Sequence, residues 1–492
     1  MQLARLRPLE WLRYASVVMM ILVILLLPVT TQPLLSRLMG YSLVAPPSII
    51  LMALVGIVWL PFYLIRGGRL PAETRPFIAF ILVALISSLT AYFIKFPVYQ
   101  NFTALDAEKE ALLTFMIAIG VYFLFSLWFR TLKHLNLAAS IINVGGLILV
   151  AWCLAQLYVI LFRGGEYPGW MVRIQFLVSV RSLLDHTFLT RVGGFAYEPS
   201  WLAHQLNIVY IPFWFAASIT GYSSIRKLGK LSMENVLLAG AIIALVFSFS
   251  RVGLLALAFM AAYALWRLHI HGISWIQKRY NLSLSLWKRL LIVAIMLALY
   301  AVMLLAILTL MARIDPRFER LMSLEDIPLD FFELASRVNF AERVVYWSNG
   351  LQTFARYPIL GVGLGNTGFF FTQHMPAIAD RLNEIIYVLT TEYYLPNVKS
   401  FWVRLLSETG LMGFSLFCTW FYVLWRGGKN LERHEKQELR LFGWMAFFVI
   451  LAFLAEGFSI DSFAMPYLWV SLGIVTAAST LARRAPEISS MQ

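Results

Sequence analysis

Apolar residues in this chain fall in long blocks separated by short basic connections. The blocks lie near residues 12–31, 46–65, 76–94, 112–129, 138–162, 201–221, 234–250, 252–268, 290–312, 401–425, 441–458 and 465–482. Most are long enough to carry a helix across a hydrocarbon core of roughly 30 Å. About twelve membrane-spanning helices are therefore predicted, with both termini on the same side. The connections Arg66 to Arg69, Arg130 to Lys133, Arg226 to Lys230, the stretch around Lys278, Arg426 to Arg440, and Arg483-Arg484 are all basic. They assign that side as the cytoplasm.

Composition agrees with an all-α polytopic membrane protein: 60% of residues are hydrophobic and only 13% are charged. The mean hydropathy is +0.75. The first block follows Arg5, Arg7 and Arg13 as a signal peptide would, but no small-residue cleavage site follows it. An uncleaved first span is expected. Cys153 and Cys418 both fall inside apolar blocks, which excludes a disulfide framework and a cysteine metal site. The net charge of +14 sits mainly in the inner connections, so it reads as an orientation signal and not as a nucleic-acid surface.

One charge breaks the apolar pattern. The run Val236 to Trp266 contains a single ion, Arg251, near its middle. As one helix the run would be roughly 46 Å long, too long for a single crossing. Basic clusters flank both ends, so the chain must cross an even number of times. A tight, shallow hairpin is expected, with Ser248 to Gly253 at its outer tip. A guanidinium held there needs an anionic partner or a wet cavity.

The blocks divide the chain into five regions. Residues 1–162 form a five-span membrane region, and 163–200 a first long outer loop. Residues 201–312 form a membrane region with the Arg251 hairpin, 313–400 a second long outer loop, and 401–492 a three-span region. Both loops are rich in aromatic residues and lack low-complexity tracts, so functional structure is expected in them. In the second loop Phe340, Val344, Trp347, Leu351 and Phe354 recur at spacings of four and three. That predicts an amphipathic helix along the membrane surface, holding Arg337 and Arg343 at the boundary.

The outer side carries Arg163, Arg173, Arg181, Arg191, Arg251, Arg337, Arg343 and Arg356, the acids Glu198, Glu392 and Glu408, and the scattered His186, His204 and His374. No His-Glu-x-x-His or Asp-x-Asp spacing suggests a metal. Gly361-Val-Gly363-Leu-Gly365 lacks the strand-to-helix context of a nucleotide loop and reads as a tight turn. Clustered arginines without a metal suit a diphosphate, whose oxygens they bind in bidentate fashion. Group transfer outside the cell must draw its energy from the substrate itself. A lipid diphosphate supplies it, and arginine stabilises the leaving group as charge develops.

Three segments carry a family resemblance. Ser250-Arg251-Val252-Gly253 before an apolar helix resembles the SRxG signature of the O-antigen polymerase and O-antigen ligase superfamily. Arg343 to Trp347, followed by Pro358 to Asn366, resembles the family's second outer-loop pattern. Phe401 to Gly413 resembles its membrane re-entrant segment, and the likeness spans about residues 190–425. The resemblance implies transfer of glycan from undecaprenyl diphosphate on the periplasmic face of the bacterial inner membrane, with no metal, nucleotide or other cofactor. It also implies a flippase and a chain-length regulator as partners. Arg191, Arg251, Arg337 and Arg343 are the expected diphosphate ligands, with Arg251 and Glu198 catalytic.

The stretch Leu395 to Ser400 lacks the histidine that ligases of this superfamily carry there. Arg191 to Ser200, ending Glu198-Pro199-Ser200, is instead similar to an element of the polymerases. The spaced Arg-x10-Gly pattern of some polymerases is absent from both loops. A polymerase is therefore the leading expectation and a ligase serving a lipid A core or a protein the alternative. A twelve-span secondary transporter is the rival from another class, but the chain shows no internal repeat. Glu198 reads equally as an acceptor base and as a helix cap, since Pro199 suits a first helical turn.

Overall fold

The structure, a computed structural model, describes residues 2–38, 40, 44–224, 231–280, 285–314, 331–337, 340–390 and 395–489. Each apolar block is helical. In chain order these are α1 Gln2–Leu25, α2 Pro47–Ile65, α3 Arg75–Ala91, α4 Ala104–Trp128 and α5 Leu132–Phe162. Next come α6 Pro199–Gln205, a π-helical turn Leu206–Tyr210, α7 Ile211–Thr220, α8 Met233–Phe247, α9 Arg251–Tyr280 and α10 Leu286–Ile314. The surface helix α11 Ala341–Arg356 precedes α12 Phe401–Glu432, α13 Gln437–Glu456 and α14 Pro466–Ser489. Among the described residues six helical segments are long and apolar enough to cross a membrane: α2, α4, α5, most of α9, α13 and Ala72–Ala91, which contains α3. Among the described residues only isolated bridges, Thr31 to Ala45 and to Ser179, interrupt the helical architecture.

Helix α13 is the axis. It packs against α7, α9, α12 and α14, and 78% of its apolar window is buried, against 17% for α9. Beside it, aromatic rings from four helices interlock. Phe77 of α3 stacks on Trp420 of α12 at 4.5 Å, and Trp420 stacks on Trp469 of α14 at 6.0 Å. Buried rings with polar edges need partners. The Trp420 indole donates to the Tyr122 hydroxyl at 3.2 Å, and that hydroxyl meets Thr476 at 3.0 Å.

The Arg251 run is two helices joined by a short turn at residues 248–250. α8 has 15 residues and α9 has 30, continuing well past the apolar block. From their shared turn the arms part, α8 towards α5 and α7 and α9 along α13. The polar extension of α9 is held by an Arg267–Glu432 ion pair. The basic connection at residues 226–230 lies outside the described residues.

Helix α12 is interrupted at Gly410, with φ 63° and ψ −169°, a conformation essentially reserved for glycine. Breaking a helix frees backbone groups that lipid cannot satisfy. Here a strap, residues 357–365, supplies the partners. Leu411 and Met412 donate to the Pro358 and Ile359 carbonyls at 2.8 and 3.2 Å. Val362 and Gly363 donate to the Ser407 and Glu408 carbonyls, each at 3.0 Å. The strap lies so close that a Cβ on Gly410 would sit 2.2 Å from the Ile359 carbonyl oxygen. Gly361, Gly363 and Gly365 all have positive φ, so the glycine-rich segment is the packed turn expected from its composition. Gly410→Ala should cost about 3 kcal/mol or more, because strain adds to the clash. Denaturation in detergent that leaves this variant as stable as the parent would refute the strap's role.

Candidate functional site

The turn between α8 and α9 is built by local hydrogen bonds. Phe249 takes φ 49°, and the Ser250 hydroxyl caps α9 by accepting from the Gly253 amide at 3.2 Å. Arg251 is thereby placed in the first turn of a helix. The helix dipole already makes that end positive, so an arginine there adds to an anion-attracting field. Gly253 permits the approach of α6: a Cβ there would lie 2.8 Å from that of Ala203.

Arg191 belongs to the same turn. Its Nε donates to the Ser248 carbonyl at 2.9 Å, and a second guanidinium nitrogen lies 3.5 Å from the Phe249 carbonyl. The loop that carries it is fixed from α5. Gln156 accepts from the Gly193 and Gly194 amides at 3.2 and 2.9 Å and donates back to the Gly194 carbonyl at 3.0 Å. Carbonyl acceptors position a guanidinium without cancelling its charge.

That loop ends at Glu198, which occupies the N-cap position of α6 but makes no side-chain cap hydrogen bond. Its carboxylate accepts from the Ser200 hydroxyl at 3.0 Å and lies 3.7 Å from Arg181. The side chain keeps 44% of its surface exposed, enough to meet a substrate. Arg181 also pairs with Asp185 at 3.1 Å and lies over the Tyr197 ring. A Thr187 amide and Arg181 hold the Asp185 carboxyl below the usual carboxylate range.

Arg343 approaches from α11. One guanidinium nitrogen donates to the carbonyls of Lys399, Phe458 and Ser459 at 2.8, 3.3 and 3.3 Å. Burial lowers its pKa from the ordinary arginine value, while the fields of Asp461, Glu384 and Glu198 act in the opposite sense. Arg337 ends the helix Phe331–Arg337, and its side chain lies outside the described residues, as does Glu392.

A buried polar network ties these parts to the central helix. Asn207, in the π-helical turn, donates to the Gly253 carbonyl at 2.9 Å and to Glu456 of α13 at 2.7 Å. His204 meets the other Glu456 oxygen at 3.4 Å. Three residues beyond Glu456, the Ser459 carbonyl receives Arg343. π-Helical turns recur at functional sites because they displace one side chain from helical register. Nearby, Arg404 pairs with Glu408 at 2.9 Å and donates to the Asp461 carbonyl at 2.7 Å. Glu408 is therefore a packed ion-pair partner.

Sequence patterning did not single out Asn207, Glu456, Asp461, Lys399 or Arg404. An acid at the end of an apolar block, as Glu456 is, was the available signal. Of the other cations expected on the outer side, Arg163, Arg173 and Arg356 are exposed, and His374 stacks on Phe370.

Beside this cluster an apolar groove of about 860 Å³ runs between α9, α11, α12 and α13. Trp347, Leu351, Trp402 and Phe458 line its end near Arg343, and Trp425 and Lys429 its far end. The apolar stripe of α11 was expected to lie along the membrane surface. Of its residues Val344 is buried in the protein with Val345, Tyr346, Asn349 and Thr353, and Trp347 and Leu351 line the groove.

No curated protein matches the chain. Residues 236–418, which include the Arg251 turn, Arg343, the strap and the interrupted part of α12, match the O-antigen ligase family. Over that stretch, this multi-pass helical membrane protein is similar to the O-antigen ligase family.

Proposed function

We propose that the protein polymerises oligosaccharide repeat units carried on undecaprenyl diphosphate, at the periplasmic face of a bacterial inner membrane. The observation that carries this reading is the placing of Arg191 and Arg251 on one helix-initiating turn, tied through Asn207 and Glu456 to the segment that receives Arg343. Permanent cations at a helix N-terminus suit a diphosphate. The adjoining apolar groove suits the isoprenoid chain that such a donor brings.

In this reading Glu198 takes the proton of an acceptor hydroxyl on an incoming lipid-linked unit. The hydroxyl oxygen forms a bond to the anomeric carbon of the growing chain as the bond from that carbon to the diphosphate oxygen breaks. The electron pair leaves on the diphosphate, where Arg191, Arg251 and Arg343 stabilise it. Arg337 is a further diphosphate ligand in the same proposal. A flippase would deliver the donor, and a chain-length regulator would set the product.

A ligase is the second reading, favoured by the matched family itself. One experiment separates the two. Purified protein is incubated with a lipid-linked repeat unit alone, or with the unit and a lipid A core acceptor. A ladder of lipid-linked polymer from the repeat unit alone is expected. Product only on the core acceptor would replace polymerase by ligase, and no glycan product in either reaction would refute both.

A further inference from the structure

At the end of the bundle away from the arginine turn, α12 and α14 enclose a second cavity of about 460 Å³ with the short turn Ala72–Thr74. Its wall includes Glu73, Arg426, Gly427, His434, Ser479 and Arg483. None of these residues takes part in the site above.

The cavity holds unmet hydrogen-bonding capacity. Glu73 is 6% exposed and pairs with Arg483 through Oε1, but its buried Oε2 has no partner. The Ser479 hydroxyl, on a residue 5% exposed, is likewise buried and unpartnered. Gly427 leaves that hydroxyl uncovered, since a Cβ there would sit 2.9 Å from it. Leaving such groups unpaired is costly, so buried oxygens of this kind normally have partners. Donors also line the cavity. His434 accepts from the Lys436 amide through Nδ1 at 3.1 Å, which directs a neutral ring to carry its proton on Nε2. Arg426 and Arg483 add two guanidinium groups against one lining carboxylate.

We infer that this cavity is a binding site for a phosphate ester that also carries a hydroxyl or ammonium group. The phosphate oxygens meet Arg426, Arg483 and His434, a donor set with the several-pronged geometry phosphate accepts. The hydroxyl or ammonium group donates to Glu73 Oε2 and pairs with Ser479. Both a glycerophospholipid head group and a soluble sugar or glycerol phosphate present this chemistry. The volume lies in the range of small-molecule sites.

The test uses the full chain. Isothermal titration with glycerol 3-phosphate and with inorganic phosphate, in detergent, reads the soluble source. Native mass spectrometry after release from nanodiscs of phosphatidylglycerol or of phosphatidylcholine reads the lipid source. One of the two is expected to bind wild type, with glycerol 3-phosphate above inorganic phosphate or phosphatidylglycerol above phosphatidylcholine. Arg426→Ala, an exposed position that folding tolerates, should weaken that binding at least about 10-fold. Ser479→Ala should reduce it less, and Arg426→Lys should restore part of it. Binding of glycerol 3-phosphate would assign a soluble ligand, and selective retention of phosphatidylglycerol alone a lipid head group. If Arg426→Ala and wild type behave alike towards every probe, the site does not exist.

Discussion

Arg251→Lys is expected to reduce glycan transfer at least about 100-fold while leaving the protein folded, and Arg251→Ala should be worse. Loss of one preorganised donor to a developing oxyanion costs on the order of 10²- to 10³-fold in rate. Lysine keeps the charge but loses the planar fork that grips two phosphate oxygens. Its effect therefore separates bidentate binding from general attraction by the field at the start of α9. The measurement is polymer formation from a lipid-linked repeat unit by purified variants, normalised to folded protein. Wild-type polymer length and rate with lysine at position 251 would remove this residue from the diphosphate site.

Glu198→Gln should cost roughly 10²- to 10⁴-fold in rate, the usual contribution of a general base. Glutamine preserves size and can still accept from Ser200, so the start of α6 should survive. Because the carboxylate makes no cap hydrogen bond, its removal should barely change thermal stability. Donor binding should also persist, because the arginines are untouched. A pure capping role predicts the reverse pattern, with lowered stability and near-normal turnover. A Glu198→Gln enzyme that polymerises at close to the parental rate would move the acceptor-activating role elsewhere.

How far the chain could be read in advance varied with the range of the interactions involved. Apolar blocks announce helices because a membrane span needs continuous hydrophobicity, and every block is helical. The break before Arg251 was also legible, since a charge and a glycine interrupt an overlong run. The length of α9 was not. Past Trp266 the residues Arg267, His269 and His271 look like an inner connection, yet they continue the helix, where Arg267 pairs with Glu432 and His269 meets Tyr300. The break at Gly410 was equally hidden, because it depends on a strap about 50 residues upstream.

The site divides along the same line. Arg191, Arg251, Arg343 and Glu198 could be named as candidates from local motifs, and Arg191 reaches the turn that precedes Arg251. Their supports could not be named. Asn207 and Glu456 meet across 249 positions of sequence, and Arg343 docks on carbonyls, which no side-chain pattern records. The buried face of α11 shows the limit of periodicity: it finds an apolar stripe but cannot say whether protein or lipid will cover it.

The strap across α12 also bears on how the protein can be assembled and rearranged. Residues 357–365 are synthesised before Phe401–Glu432, so the partners for the broken helix exist before that helix enters the membrane. Inserted without them, α12 would carry bare carbonyl and amide groups into lipid. The second long loop is therefore not an ornament that can be shortened or exchanged on its own. In any chimera between related enzymes, the strap and α12 form a single heritable unit that crosses a loop boundary.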